Sequence, residues 1–141
     1  MIDFADNPVR HLALLRRHVL QVLDRELSLY NLNQGSYKYL YGLYLNDHQS
    51  QQSLADLVGD DKAATTRTLA RLEQKGLVNR SSDPNDRRAS LVSLTEAGKA
   101  LRPVVQTAVI TASAAMTGAL SENEAKVFRS LLAKASSTIN S

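Results

Sequence analysis

The chain has 141 residues, which suits one domain with a hydrophobic core and is too short for two independent ones. Apolar residues make up 43% and charged residues 22%, values that exclude a largely disordered chain, while the net charge of +3 is only weak evidence for a polyanionic partner. The absence of cysteine excludes a disulfide framework, cysteine zinc sites and thiol redox sensing. The chain shows neither a signal-peptide pattern nor a membrane-length apolar run, so we expect a cytoplasmic protein with no membrane contact.

The first third of the chain predicts two helices. Apolar residues recur at spacings of three and four along residues 9–30, as in a long amphipathic helix: Leu12, Leu15, Val19, Val22, Leu23 and Leu27. Asn7 and Pro8 suit its start. Asn33 is expected to cap a second helix that ends near Asn46 and carries three tyrosines: Tyr37, Tyr41 and Tyr44.

The middle of the chain predicts two shorter helices and a hairpin. Ser50 should cap a helix that Gly59 ends, and Asp61 should cap the next helix, which stops at Gly76. Two β-prone runs follow, at 77–78 and 91–94. The polar run Ser-Ser-Asp-Pro-Asn-Asp between them predicts a hairpin with a long polar tip.

The last third predicts two more helices. Thr95 and Glu96 open a helix that continues past Ile110, and Pro103 is expected to bend its interior. Ser121 begins the final helix in capping-box form. The predicted fold is therefore mainly α with a small β-hairpin wing, in which a winged helix-turn-helix domain is flanked by N- and C-terminal helices.

The helix that begins after Asp61 has two contrasting faces. Thr65, Leu69 and Leu72 share one face and should pack inward. The opposite face carries Ala63, Arg67, Ala70 and Gln74, with Thr66 and Arg71 beside it. A helix that reads the DNA major groove needs small residues that allow close approach and hydrogen-bonding groups that reach base edges. Ala63, Thr66 and Arg67 meet that requirement.

Positive charge is concentrated in this region. Between Lys62 and Arg88 there are seven basic and three acidic residues, an excess of +4 against +3 for the whole chain. A charge run alone is better explained by a solvated helix face and a charged loop. Together with the helix-turn-helix and hairpin order, it favours contact with DNA phosphates.

Several motifs carry a resemblance to a known family. The runs Leu-Ala-Asp-Leu at 54–57, Asp-Lys-Ala at 61–63 and Leu-Glu-Gln-Lys-Gly-Leu-Val at 72–78 resemble the MarR family of multiple-antibiotic-resistance-type regulators. The family's wing signature is matched by Asp86, Arg88, Leu94, Thr95 and Gly98. The resemblance covers nearly the whole chain, as one MarR-type domain over 1–141.

The resemblance implies a homodimer that binds a pseudo-palindromic operator in double-stranded DNA. Residues 33–94 would form the winged DNA-binding lobe, and 1–32 and 95–141 the dimerisation helices. The helix at 61–75 would enter the major groove, Arg87 or Arg88 the minor groove, and Asp86 would hold an arginine of the wing. Lys38 matches a phosphate-contacting position, although an ordinary exposed lysine explains it equally well. The predicted DNA-binding residues are Lys38, Lys62, Ala63, Thr66, Arg67, Arg71, Arg80, Arg87 and Arg88.

The chain departs from the family at the reading helix. Family members often carry Ser or Thr where this chain has Ala63 and Ala64, and an apolar residue where it has Thr65. Fewer hydroxyl groups imply more reliance on apolar contact and on Arg67.

The apolar stripes at 12–27, 101–110 and 127–132 exceed what a small winged domain covers, so a two-fold dimer is expected, with a monomeric helical core as the alternative. The resemblance also implies a small aromatic or anionic effector between the dimer helices and the lobe. Arg16, Arg17, Tyr37, Tyr41 and Tyr44 could line such a pocket, or the tyrosines could belong to the core.

His11 and His18 lie seven residues apart on one helix face and could form a metal or pH-sensing site, but no carboxylate falls at a suitable spacing, which favours ordinary surface or interface histidines. No catalytic constellation, metal-ligand cluster or cofactor motif is present. We therefore predict a DNA-binding regulator, with repression as its expected mode, rather than an enzyme. A sequence-independent architectural nucleic-acid-binding protein is the alternative.

Overall fold

The computed structural model describes residues 1–139, so residues 140 and 141 of the predicted C-terminal segment lie outside it. It contains seven α-helices in this range: α1 (Pro8–Leu27), α2 (Tyr37–Leu45), α3 (Gln51–Val58), α4 (Lys62–Gln74), α5 (Glu96–Ala100), α6 (Arg102–Met116) and α7 (Glu122–Ser136). The strands are β1 (Gln49–Ser50), β2 (Val78–Asp83) and β3 (Asp86–Leu94). The fold class predicted from the sequence is confirmed.

Most helix boundaries follow from local capping. The side chain of Asn7 accepts a hydrogen bond from the backbone of Arg10 at 3.0 Å, and Pro8 occupies the first turn of α1. Asp61 caps α4 by accepting from the backbone of Ala64 at 2.7 Å. Gly59 ends α3 with a φ of +78°, a left-handed conformation that costs glycine little.

The predicted cap at Asn33 was wrong. Its side chain instead accepts from the backbone N–H groups of Gly35 and Ser36, at 2.9 and 3.0 Å, within a turn. Helix α2 begins only at Tyr37, after Ser36. Asparagine stabilises such local turns as readily as it caps helices, so the residue type alone did not decide between them.

The sheet has three antiparallel strands in the order β1–β3–β2, and the short β1 was not predicted. In the hairpin, Val78 pairs with Leu94 and Arg80 with Val92. The long polar tip was also wrong, because the pairing continues to Asp83 and Asp86 and leaves only two residues between the strands. We call this hairpin, residues 78–94, the wing.

The single helix predicted after Thr95 is divided into α5 and α6. The break falls at Leu101, and Pro103 occupies the first turn of α6 rather than bending a helix interior. That position suits proline, because the N–H group it lacks has no partner at a helix start. The capping box of α7 is present, with Ser121 and Glu124 as reciprocal partners.

One continuous core joins the helices to the wing. Its fully buried side chains come from most elements of the fold: Leu27, Tyr39, Leu40, Leu54, Leu69, Leu72, Val78, Val92 and Val105. Helix α6 packs along α1. A Cβ atom on Gly98 would lie 2.1 Å from the carbonyl oxygen of Leu77, so only glycine allows α5 to sit this close to the wing.

The two ends of the chain are packed differently from its middle. Helix α7 buries no residue, and the first half of α1 leaves Leu12 and Leu14 exposed. The buried residues of α1 all lie in its second half, beginning at Val22. The apolar stripes predicted from the sequence are therefore present, but in a single chain they face outward over much of their length.

Candidate nucleic-acid interface

The two faces of α4 are arranged as the sequence predicts. Thr65, Leu69 and Leu72 are fully buried, whereas Ala63, Thr66 and Arg67 are exposed. The outer surface is therefore built of small side chains around one long guanidinium group. Such a surface can sit deep in a DNA groove and still reach base edges with a hydrogen-bond donor.

The start of α4 is fixed by more than its cap. Thr65 is a buried polar residue, and its hydroxyl donates to the carbonyl oxygen of Asp61 at 2.8 Å. The hydroxyl of Thr65 also lies 3.3 Å from that of Tyr39, which is fully buried in α2. The bond to Asp61 satisfies the burial of the Thr65 hydroxyl, while the proton of Tyr39 goes to Asp60.

Asp60 completes this network just before the cap of α4. Its carboxylate accepts hydrogen bonds from the ammonium of Lys38, at 2.8 Å, and from the hydroxyl of Tyr39. Burial opposes the ionisation of Asp60, but these hydrogen bonds outweigh it and lower the pKa of the carboxyl group. Burial and the bond to Asp60 raise the pKa of Tyr39 to about 12, so the phenol remains a proton donor.

Two of the side chains predicted to contact phosphate form ion pairs within the protein. Lys38 forms the ion pair with Asp60, and Arg80 pairs with the carboxylate of Glu73 at 3.2 Å. Glu73 also accepts the backbone N–H of Arg80, at 3.1 Å, and so fastens the wing to α4. These positions hold the lobe together in the free chain.

The remaining predicted cations are available to a ligand. Arg67, Arg71, Arg87 and Arg88 are all exposed, and within residues 1–139 none of them forms an ion pair. Lys62 is also exposed, at the first position of α4. This group lies on α4 and at the start of β3, so the positive charge is presented by both the helix and the wing.

Asp86 contacts an arginine of the wing through the arginine's backbone rather than its guanidinium group. It braces the wing, but it does so by accepting the backbone N–H of Arg88 at 3.0 Å, and its carboxylate forms no ion pair with an arginine among the described residues. The short separation of the two residues in the chain brings the backbone N–H of Arg88 to the carboxylate of Asp86. The arginine side chains therefore remain outside this contact.

A cleft of about 480 Å³ lies between the wing and the start of α3 and α4. It brings Lys62 and Arg88 to one concave surface, with Asp86 beside them. The other lining residues are mostly small or polar: Ser50, Gln51, Gln52, Ala55, Thr65, Asp83, Ala89 and Ser90. Helix and wing thus frame a single groove rather than two separate surfaces.

Gln51 is a site residue that the sequence reasoning missed. Its side-chain amide donates to the hydroxyl of Thr66 at 2.7 Å, and this hydroxyl in turn donates to the carbonyl oxygen of Lys62 at 2.9 Å. Gln51 is the first residue of α3, and its contact to α4 depends on how the two helices pack, which the sequence pattern does not show. Its place directly after the cap Ser50 was the available signal, since that end of α3 faces α4.

The predicted effector residues divide into two groups. Tyr37 and Tyr41 line a cleft of about 350 Å³, together with Lys38, Leu57 and Val109. Burial, followed by the proximity of Tyr41, raises the pKa of Tyr37. The other predicted members do not line this cleft: Arg16, Arg17 and Tyr44.

Tyr44 has a structural contact instead. Its hydroxyl donates to the carbonyl oxygen of Gly98 at 2.6 Å, which joins α2 to α5, and the guanidinium of Arg102 lies over its ring. Burial raises the pKa of Tyr44 to about 12, although Arg102 opposes this. Tyr44 therefore belongs to the packing of the lobe.

His11 does have a carboxylate partner, contrary to the expectation from spacing. The oxygen of Asp6 lies 2.7 Å from the ring nitrogen of His11, because the chain before α1 folds back on the helix. Among residues 1–139, however, no group of three or more metal-ligating side chains comes together. Nor does that part of the chain contain a helix with the length and apolar character needed to span a bilayer.

Comparison with known proteins agrees with this geometry. A model of the MarR family matches residues 32–90. A probable transcriptional regulator from Pseudomonas aeruginosa is similar to this chain at 26% identity and a TM-score of 0.85, over 94% of this chain and 98% of that one. A MarR transcriptional regulator from Methanosarcina mazei Go1 has 27% identity and a TM-score of 0.81, over 87% and 88% of the two chains. A mutant MarR from E. coli, solved with operator DNA, has 28% identity and a TM-score of 0.81, over 89% and 91%.

Proposed function

We propose, from the premise that this chain belongs to the MarR family of transcriptional regulators, that it binds double-stranded DNA sequence-specifically and represses transcription. The observation that carries the proposal is the outer face of α4, where small residues surround the exposed Arg67 beside an arginine-bearing wing. The similar E. coli protein was solved with operator DNA, which supports the same use of the fold. We further propose that this chain acts in the cytoplasm.

Helix α4 and the wing would have different tasks. Arg67 can donate two hydrogen bonds to the edge of a guanine in the major groove, and such contacts distinguish base pairs. Arg87 and Arg88, on the exposed end of β3, would contact the minor groove or its phosphates, and Lys62 and Arg71 the phosphates that flank the major groove. Phosphate contacts contribute affinity and salt dependence but carry no sequence information.

We further propose that the chain acts as a homodimer. Residues 1–32 and 95–141 would form the dimerisation helices around the DNA-binding lobe at 33–94. The exposed apolar side chains of α7, such as Val127 and Leu131, need a covering surface, and a helix that buries nothing is rarely stable alone. A two-fold dimer would present two α4 helices to half-sites about one helical turn apart.

The cleft beside Tyr37 and Tyr41 is our candidate site for a small aromatic or anionic effector. Its volume of about 350 Å³ is within the range of small-molecule pockets. Lys38 provides a cation at its wall, and it also holds Asp60 ahead of α4. A ligand that attracted Lys38 would therefore weaken the ion pair with Asp60, which helps to fix the start of α4.

The alternative function is a sequence-independent architectural protein that uses the same positive surface. Salt titration does not separate the two, because both lose affinity as salt is raised. Selection of bound fragments from a genomic library does separate them. We expect one palindromic sequence to be enriched and to compete at least about a thousandfold better than random duplex. Equal competition by both duplexes would refute sequence-specific regulation.

A further inference from the structure

Thr66 is exposed on the outer face of α4, yet its hydroxyl is engaged within the protein. It donates its proton to the carbonyl oxygen of Lys62 at 2.9 Å and accepts the amide of Gln51 at 2.7 Å. A hydroxyl group has one proton and two lone pairs. Thr66 therefore has no proton left for a base acceptor, and a ligand meets a single lone pair and the γ-methyl group.

The two hydrogen bonds come from different elements and together fix the side chain. Lys62 belongs to the preceding turn of α4, while Gln51 reaches across from the first turn of α3. Threonine is branched at Cβ, so fixing the direction of the hydroxyl also fixes the direction of the methyl group. Gln51 thus helps to fix the methyl group of Thr66 through its hydrogen bond to the hydroxyl of the same side chain.

We propose that Thr66 reads DNA through this γ-methyl group, which selects the C5-methyl of a thymine in the major groove, and that Gln51 is its positioning residue. The inference rests on the proposed function. Hydrogen bonds from Thr66 to guanine or to the thymine carbonyl would need the proton that Lys62 already accepts. Contact between a threonine methyl and a thymine methyl needs no proton and is a known mode of base readout.

The experiment uses the full-length protein and the duplex selected from genomic fragments. Each thymine is replaced in turn by uracil, which removes only the C5-methyl group. We expect one thymine in each half-site to show a loss of about fourfold in affinity, equivalent to the transfer of one methyl group from water. At the same position, 5-methylcytosine should bind better than cytosine by a similar factor.

Three variants assign this effect to Thr66. Thr66→Val has methyl groups at both γ positions, so one of them faces the groove without any hydrogen-bond restraint and the uracil effect should be retained, whereas Thr66→Ser keeps only the hydroxyl and should lose it. Gln51→Ala should give an intermediate effect, because one of the two restraints remains. Gln52→Ala is the matched control for the uracil effect alone, since this residue also lines the cleft but donates to Asp56 on its own helix and not to Thr66. Its uracil effect should equal that of the wild type.

The outcomes separate this inference from the proposed function. If Thr66→Ser kept the uracil effect, or Thr66→Val lost it while remaining folded by circular dichroism, methyl readout by Thr66 would be overturned although sequence-specific binding stood. If Gln51→Ala matched the wild type at every position, Gln51 would not be a positioning residue. A protein that preferred no duplex at all would overturn the proposed function and this inference together.

Discussion

The carboxylate of Asp60 lies 2.8 Å from the ammonium of Lys38, and this pair links α2 to the residue before the cap of α4. The other carboxylate oxygen accepts the hydroxyl of the buried Tyr39. Asp60 therefore joins a surface cation to a core side chain at the turn that sets the direction of α4. A contact of this kind stabilises the fold and also orients the surface proposed to meet DNA.

We expect Asp60→Asn to lower the free energy of unfolding by about 0.5–1 kcal/mol near neutral pH, because the charge is lost while the amide oxygen can still accept from Tyr39. The pKa of Asp60 is lower in the folded chain than its ordinary value of 3.8, so ionisation favours folding. The difference between wild type and variant should be complete above pH 3.8 and disappear as pH falls through the lower, folded pKa. Urea denaturation at several pH values measures it, and a constant difference would contradict it.

Gly98→Ala tests the close approach of α5 to the wing. The added Cβ would lie 2.1 Å from the carbonyl oxygen of Leu77, so the backbone must move, and we expect a destabilisation of about 1–3 kcal/mol. Gly118→Ala is the matched control, because the nearest atom to its Cβ would be 3.5 Å away. Thermal denaturation should separate the two variants. Equal melting temperatures would show that the packing at Gly98 relaxes without cost.

Arg67→Ala and Arg88→Ala should weaken DNA binding in different ways. Loss of Arg67 would remove the proposed base contact and should cost about 1–3 kcal/mol at one base pair of the selected operator, with a smaller effect on random duplex. Loss of Arg88 would remove the proposed phosphate contact, so binding to all duplexes should weaken and the salt dependence should become shallower. Fluorescence anisotropy over a range of salt concentrations measures both.

Arg80→Ala is the control for these two variants. Its guanidinium is held by Glu73, so we expect a loss of stability with little change in the salt dependence of DNA binding. Equal effects of Arg67→Ala and Arg88→Ala on operator and random duplex would contradict the division between reading helix and wing.

The sequence was sufficient for the features that depend on neighbouring residues. Caps such as Ser50, Asp61 and Ser121 form from a side chain and a backbone N–H group three residues away, so the pattern predicts them directly. The same holds for Gly59, where the left-handed conformation selects glycine. Asn33 shows the limit of this reasoning, because an asparagine side chain accepts hydrogen bonds from nearby backbone N–H groups both in a turn and at a helix start.

Contacts between distant parts of the chain were not predictable in this way. Lys38 meets Asp60, and Gln51 meets Thr66, only because the fold brings separate helices together. The sequence correctly predicted which face of α4 points outward. It did not reveal that Lys38 and Arg80 form ion pairs within the protein. Residue type gives the charge of a side chain, whereas its partners depend on tertiary packing.

Helix α7 carries an exposed apolar face. Val127 and Leu131 lie one turn apart on this helix, and both are more than half exposed in the single chain, at 57% and 58%. A dimer that covers them would be disrupted by a carboxylate at either position, because burying an unpaired charge costs several kcal/mol. We therefore expect Leu131→Asp to shift the protein from dimer to monomer in analytical ultracentrifugation.

Ala133→Asp is the matched control, since it adds the same charge to an exposed position on the opposite face of α7. That variant should remain dimeric. The monomeric Leu131→Asp protein should also bind the full operator far more weakly than the wild type, because it loses the linkage between the two half-sites. If it stayed dimeric, or if the wild type itself sedimented as a monomer, α7 would not be part of a dimer interface.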